Sequence, residues 1–249
     1  MMIEGLRTYY ALCRGLLYWL VVAPFRGRFY RFDHVWAQIV RIGVQAVPMA
    51  ALTTLTIGVV LAMQSAAQLE KLGAEVFVPG LVSTSIVKEL GPLITAVIVI
   101  GRSGSAVTAE LGTMKVSEEI DALEVMAIHP MSYLIVPRFL AIVIMMPVLT
   151  VLGIYVGMFG GWLIAFFALD MSTAFYITNA IDYLESRDVW IGMFKSVVFG
   201  VLIITIACNV GLNVKGGAEG VGLATTRSVV VSLLTVFVAN ALLTAVFFF

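Results

Sequence analysis

The chain has 249 residues, 61% of them hydrophobic and 12% charged, and its fifteen basic residues are balanced by fifteen acidic ones. Soluble domains carry about 25% charged residues, so this composition, with a mean hydropathy of +1.05, excludes an ordinary soluble protein and points to an integral membrane protein with several spans. Zero net charge excludes a basic field for nucleic acid, and the two cysteines, Cys13 and Cys208, form no CxxC or Cys/His cluster that would hold a metal or a disulfide framework.

The first element is "MIEGLRTYYALCRGLLYWLVV". Arg7 and Arg14 are seven residues apart and share one helical face, with Glu4 beside them. Tyr9, Tyr10, Leu12, Leu16, Trp19 and Leu20 cover much of the rest. The uninterrupted apolar part falls short of the roughly 20 residues that cross a bilayer core. The pattern predicts a helix in the headgroup plane, with a short additional span as the competing reading. A cleaved leader is not expected, because Pro24 follows Ala23 and no A-x-A site appears.

Five stretches are apolar for long enough to span. They are about 43–63, 82–104, 134–168, 190–213 and 228–249. The third carries Pro137 and Pro147, which predict a tilt or bend. Before the first span and in the segments joining spans two to three and four to five lie Arg7, Arg14, Arg26, Arg28, Arg31, Arg41, Arg102, Lys115, Arg138, Lys215 and Arg227, eleven of the fifteen basic residues. The positive-inside rule then places the N-terminus in the cytoplasm and the C-terminus outside.

Between spans two and three the sequence turns acidic. Ser117 is the expected N-cap, and Glu118 and Glu119 occupy a first turn where the helix dipole favours carboxylates. Ile120, Leu123 and Ala127 make an apolar stripe, and Pro130 ends the element. Residues 118–127 are thus expected to form a short amphipathic helix on the cytoplasmic side. An acidic face is no lipid anchor beside an anionic leaflet. Two readings stand: a loop helix packed on its own bundle, or a docking knob for a partner with a basic groove.

Further along, Gly153, Gly157 and Gly161 repeat every four residues in span three, spacing that lets helices approach closely. Residues 170–190 read as an outward segment with Asp170, Asp182, Glu185 and Asp188, either a plain solvated loop or one carrying a short helix that meets a partner protein. The glycine-rich "KGGAEGVGLATTRS" at 215–228 reads as a short cytoplasmic turn. It lacks the lysine spacing of a phosphate-binding loop, and no G-x-x-x-x-G-K-[ST] occurs elsewhere. His34 and His129 are isolated, and no nucleophile–base constellation is present, so no catalytic residue and no metal site are expected.

The stretch from Lys88 to Ala141 closely resembles the permeases of MlaE type, the membrane subunits of ABC transporters that work with MCE-domain proteins. The resemblance is carried by "ELGP" at 89–92, "GRSGSA" at 101–106, "AELGTM" at 109–114, "EEIDALE" at 118–124 and Pro137-Arg138. It extends to the amphipathic start and the five-span layout. It implies one permease domain over 1–249 that is all-α, with an N-terminal interfacial helix (1–40 region) followed by five transmembrane helices in the inner membrane. It implies a homodimer served by a separate ATPase that binds the ATP and Mg, so that this chain is a non-catalytic subunit without a cofactor of its own. It makes 118–127 the coupling helix, with Glu110, Glu118, Glu119, Asp121, Leu123 and Glu124 as ATPase-coupling residues. The implied cargo is phospholipid or a related lipid moved between the cytoplasmic membrane and the outer envelope, with an MCE-domain protein as a further partner.

Charges inside spans are costly and mark function by default. Lys88, Glu89 and Lys195 fall near the outer ends of spans two and four, and are expected either to line an outward lipid cavity or to reach the interface, as lysines do readily. Two rival functions remain: a stand-alone secondary transporter or channel, and a non-transporting membrane scaffold.

Overall fold

A computed structural model describes residues 2–22 and 32–248, with side chains over 9–20 and 33–247. Arg26, Arg28 and Arg31, counted above toward orientation, lie outside the described residues, as do the side chains of Glu4 and Arg7. Every element among the described residues is helical. Five helices are long and apolar enough to cross a membrane: Asp33–Leu72, Glu75–Val116, Met131–Ala168, Ser186–Leu212 and Gly217–Phe247. They match the five expected stretches but run further at most ends. Apolar content marks only the part that needs a membrane, and a helix continues past it until something replaces its backbone hydrogen bonds. The segment 215–228 is therefore not the expected turn. Only its first residues turn, at Gly216 and Gly217 with φ of +93° and +69°, and Gly217 opens the last helix. The third span runs as one α-helix, Val136–Ala168, through Pro147.

Three spans carry π-helical turns: Ile39–Gly43 in the first, Ile86–Leu90 and Ile100–Gly104 in the second, and Met131–Ile135 opening the third. Such turns shift backbone carbonyls out of the regular ladder and gather at functional positions. The N-terminal helix, Met2–Leu17, buries Leu12 and Leu16 and leaves Tyr10 and Arg14 exposed.

The chain divides into two compact units. The first comprises Met1–Ala46, Val99–Met145 and Phe199–Ala239. Its core holds Ile100, Leu111, Ile142, Phe199, Ile203 and Ile204. Polar side chains stitch its helices: Thr108 Oγ1 lies 2.8 Å from Ser228 Oγ, Ser103 Oγ donates to Ile42 O at 2.7 Å, and Tyr9 Oη lies 3.0 Å from Thr205 Oγ1. Cys208 is buried here and Cys13 half-buried, both free thiols. The histidines pack against rings, His34 on Tyr133 at 5.0 Å and His129 on Trp19 at 5.1 Å.

The second unit comprises Val47–Ile98, Met146–Val198 and Asn240–Phe249. Glycines set its helix spacing. A Cβ on Gly58 would collide with the carbonyl of Gly157, and one on Gly160 would meet Leu55 O. The predicted glycine stripe faces three neighbours: Gly153 lies against Thr54 and Thr95, Gly157 against Ile86 and Thr54, and Gly161 against Tyr176 and Val82. The 170–190 stretch contains a helix, Thr173–Asp182, whose N-cap Ser172 accepts from Phe175 N. Tyr176 anchors it, buried and donating to Met158 O at 3.1 Å. Burial pushes its phenol up to about 12.

Candidate functional site

In the second unit, six polar side chains meet among apolar helices. The π-turn Ile86–Leu90 carries Lys88 and Glu89, the helix Ser186–Leu212 supplies Asp188 and Lys195, and the last helix supplies Asn240 and Thr244. Lys195 is fully buried. Its ammonium donates to Glu89 Oε1 at 2.5 Å, to Thr244 Oγ1 at 2.8 Å and to Lys88 O at 3.2 Å. That last acceptor sits inside the π-turn, where the ladder is irregular. Glu89 also accepts from Asn240 Nδ2 at 3.0 Å and Thr244 Oγ1 at 2.8 Å. Beside it, Lys88 Nζ pairs with Asp188 Oδ2 at 3.0 Å, and Asp188 Oδ2 also accepts from Glu185 N.

The three cavity candidates are thus brought together, with each cation facing a carboxylate. Lys195 does not reach outward to an interface, since its exposure is nil, whereas the Glu89 side chain keeps 32% of its surface open. Asn240 and Thr244 were not anticipated, nor was Asp188 as a partner of Lys88. An asparagine alone in the apolar run of the last span was the available signal, since polar groups in hydrocarbon need partners. Its Oδ1 is buried and accepts no hydrogen bond, leaving one acceptor unspent.

In the first unit the acidic helix spans Glu119–Val125, shorter than the expected 118–127. Ser117 is not its N-cap. The preceding helix, Ser105–Val116, runs up to Ser117, whose hydroxyl lies 2.9 Å from both Thr113 O and Glu119 Oε1. Glu118, in the left-handed region at φ +61°, turns the chain and starts the helix through Ala122 N donating to Glu118 O. Ala127 at φ +59° ends it. Ile120 is buried and Leu123 half-buried, but Ala127 is exposed and drops out of the stripe. Glu118, Glu119, Asp121 and Glu124 are exposed, with Asp121 paired to Lys115 at 2.9 Å. Val125 and Met126 are also bare, at 89% and 61% exposure.

Glu110 stands apart from that face. Its Oε1 accepts from Arg41 Nη1 at 2.9 Å and forms an ion pair with Arg138 Nη2 at 3.1 Å.

Comparison with known proteins supplies the family. The permease MlaE family model matches residues 35–246. A probable ABC transporter permease protein of Rickettsia prowazekii is 40% identical over 211 residues, 85% of this chain and 82% of the relative. The intermembrane phospholipid transport system permease protein MlaE of Haemophilus influenzae is 39% identical over 210 residues, 83% and 80% of the two chains. The chloroplastic protein TRIGALACTOSYLDIACYLGLYCEROL 1 of Arabidopsis thaliana is 37% identical over 211 residues, 85% of this chain and 60% of the plant protein. A family match over most of its length and relatives near 40% identity, on a chain of five spans, place this protein in the MlaE permease family.

Proposed function

We propose that the chain is the membrane-spanning permease subunit of an ABC transporter that moves phospholipid between the cytoplasmic membrane and the outer envelope, and that residues 1–249 form one such domain. The N-terminus is cytoplasmic, the C-terminus periplasmic, and Met2–Leu17 lies along the inner leaflet. The observation that carries the reading is the exposed helix Glu119–Val125. Its bare carboxylates and the apolar tip Val125-Met126 form a face that a lone membrane protein has no use for. Charge complementarity suits a basic groove on an ATPase subunit, which would bind the ATP and Mg. Two copies of the permease, two of the ATPase and an MCE-domain protein complete the assembly. Glu118, Glu119, Asp121, Leu123 and Glu124 would be the ATPase-facing residues.

Lipid would enter beside Lys88, Glu89 and Lys195. A polar network with one open carboxylate edge inside apolar helices suits an amphiphile, whose headgroup needs charged or hydrogen-bonding partners while its chains need apolar walls. The names of the Haemophilus and Rickettsia relatives support the cargo and the ABC assignment.

The test is copurification from detergent of wild type against Glu119→Lys/Glu124→Lys. Wild type is expected to bring down an ATPase and the variant to lose it. Wild type without any ATPase would sink the reading and favour a stand-alone transporter.

A further inference from the structure

We infer that Glu110 is a positioning residue that ties the acidic helix to the roots of three spans, so that displacement of that helix is passed into the membrane rather than absorbed by its loops. The inference rests on the ABC-permease reading above and assigns Glu110 a role inside the permease in place of the ATPase-facing one expected from sequence.

Glu110 lies on Ser105–Val116, six residues before that helix ends and nine before the acidic helix begins. The helical part is under two turns, roughly 9 Å of rigid lever. Its Oε1 is shared by two guanidiniums from distant segments. Arg41 sits in the π-turn Ile39–Gly43 at the start of the first span, and Arg138 lies just past the π-turn Met131–Ile135 in the third. The contact to the first span is doubled, because Arg102 donates to Gln45 Oε1 at 3.0 Å and to Arg41 O at 3.4 Å. All of these residues belong to the first unit.

Arg138 argues that stability alone is not the reason for the cluster. Its side chain is 4% exposed. Nη1 donates to Leu134 O at 2.6 Å, while Nε is buried without a partner. An ion pair whose guanidinium is buried with an unspent donor is a poor way to hold helices together, and an apolar pair of similar size usually does as well or better. What an apolar pair lacks is direction. A carboxylate gripping two guanidiniums transmits pull as well as push, and it releases only at a cost.

The experiment uses the permease with its ATPase subunit reconstituted in phospholipid vesicles, reading copurified ATPase, ATP hydrolysis and lipid moved per ATP. Four variants are compared with wild type: Glu110→Gln, Glu110→Asp, Arg41→Gln and the double Glu110→Gln/Arg138→Met. The double removes the buried guanidinium together with its half-buried carboxylate partner, so no charge is stranded in the interior and the fold is kept even where Glu110→Gln alone unfolds. Expected is ATPase copurification and hydrolysis within about twofold of wild type for the double, with lipid moved per ATP down about tenfold or more, the size of an ordinary coupling free energy. Arg41→Gln is expected to lose part of the coupling, and Glu110→Asp to retain most of it. The inference is overturned if the double variant recovers thermal stability and coupling together, because the cluster is then structural. Loss of copurified ATPase from Glu110→Gln or the double, at normal permease yield, overturns it in favour of a docking role. Absence of ATPase from wild type is a separate result, and it removes the ABC reading beneath the inference.

Discussion

Removing the carboxylate at position 89 should cost more than removing the ammonium it faces. Lys195 is fully buried, so Glu89→Gln takes the negative charge away from a cation that has no access to water. Breaking a buried pair in this direction costs about 3–5 kcal/mol. At 2–4 °C per kcal/mol for a chain of this size, that lowers Tm by roughly 6–20 °C. Lys195→Met leaves the opposite remainder. Glu89 keeps donors from Asn240 and Thr244, and 32% of its side chain remains open. The cost should be nearer about 1–3 kcal/mol, the ordinary penalty of a partly unsatisfied group. The double variant leaves no charge stranded and should come within about 2 kcal/mol of wild type. Thermal unfolding in detergent, followed by intrinsic fluorescence, measures all three. The reasoning is refuted if Lys195→Met is the worse single variant, or if the double is as unstable as the two losses added.

Gly58→Ala should destabilise by about 1–3 kcal/mol or more, because the new methyl meets the backbone of Gly157, which cannot rotate away, whereas Gly101→Ala, with nothing near its Cβ, should be close to neutral; melting temperatures of the two variants decide the point. The pKa of Tyr176 is raised from 10.0 to about 12, so its stabilising effect is whole below pH 10, is lost as the pH rises toward 12, and should be absent in Tyr176→Phe. An unfolding series across that window should show wild type losing more stability than the variant, and equal slopes would exclude a contribution from this phenol.

The number and order of the spans were legible because each needs about 20 apolar residues, a signal that local context barely alters. Their ends were not, since Ser105–Val116 and 217–227 remain helical on mixed sequence. The N-cap assignment at Ser117 failed because a serine that ends one helix and a serine that starts the next look alike in sequence. The left-handed turn at Glu118, a residue with no special tolerance for it, gave no warning. Lys88, Glu89 and Lys195 stood out as ions in hydrocarbon, but their partners Asn240 and Thr244 lie some 150 residues from Glu89 in sequence. No local periodicity reports such a pairing. Glu110 is one acid among five close together in sequence, and only the fold separates it from the others by setting it between Arg41 and Arg138.

The paired arrangement of Lys88 with Asp188 and Lys195 with Glu89 has an electrical consequence. Two cations and two anions sum to zero, so the cluster can shift along the membrane normal, or exchange partners, without carrying net charge through the transmembrane field. An uncompensated lysine moved across it would exchange about 2.3 kcal/mol per 100 mV, and its movement would speed or stall with the energised state of the cell. The neutral cluster leaves that lever out. Rearrangement of the cluster would be governed by contacts between helices, and its rate should be the same in polarised and depolarised vesicles.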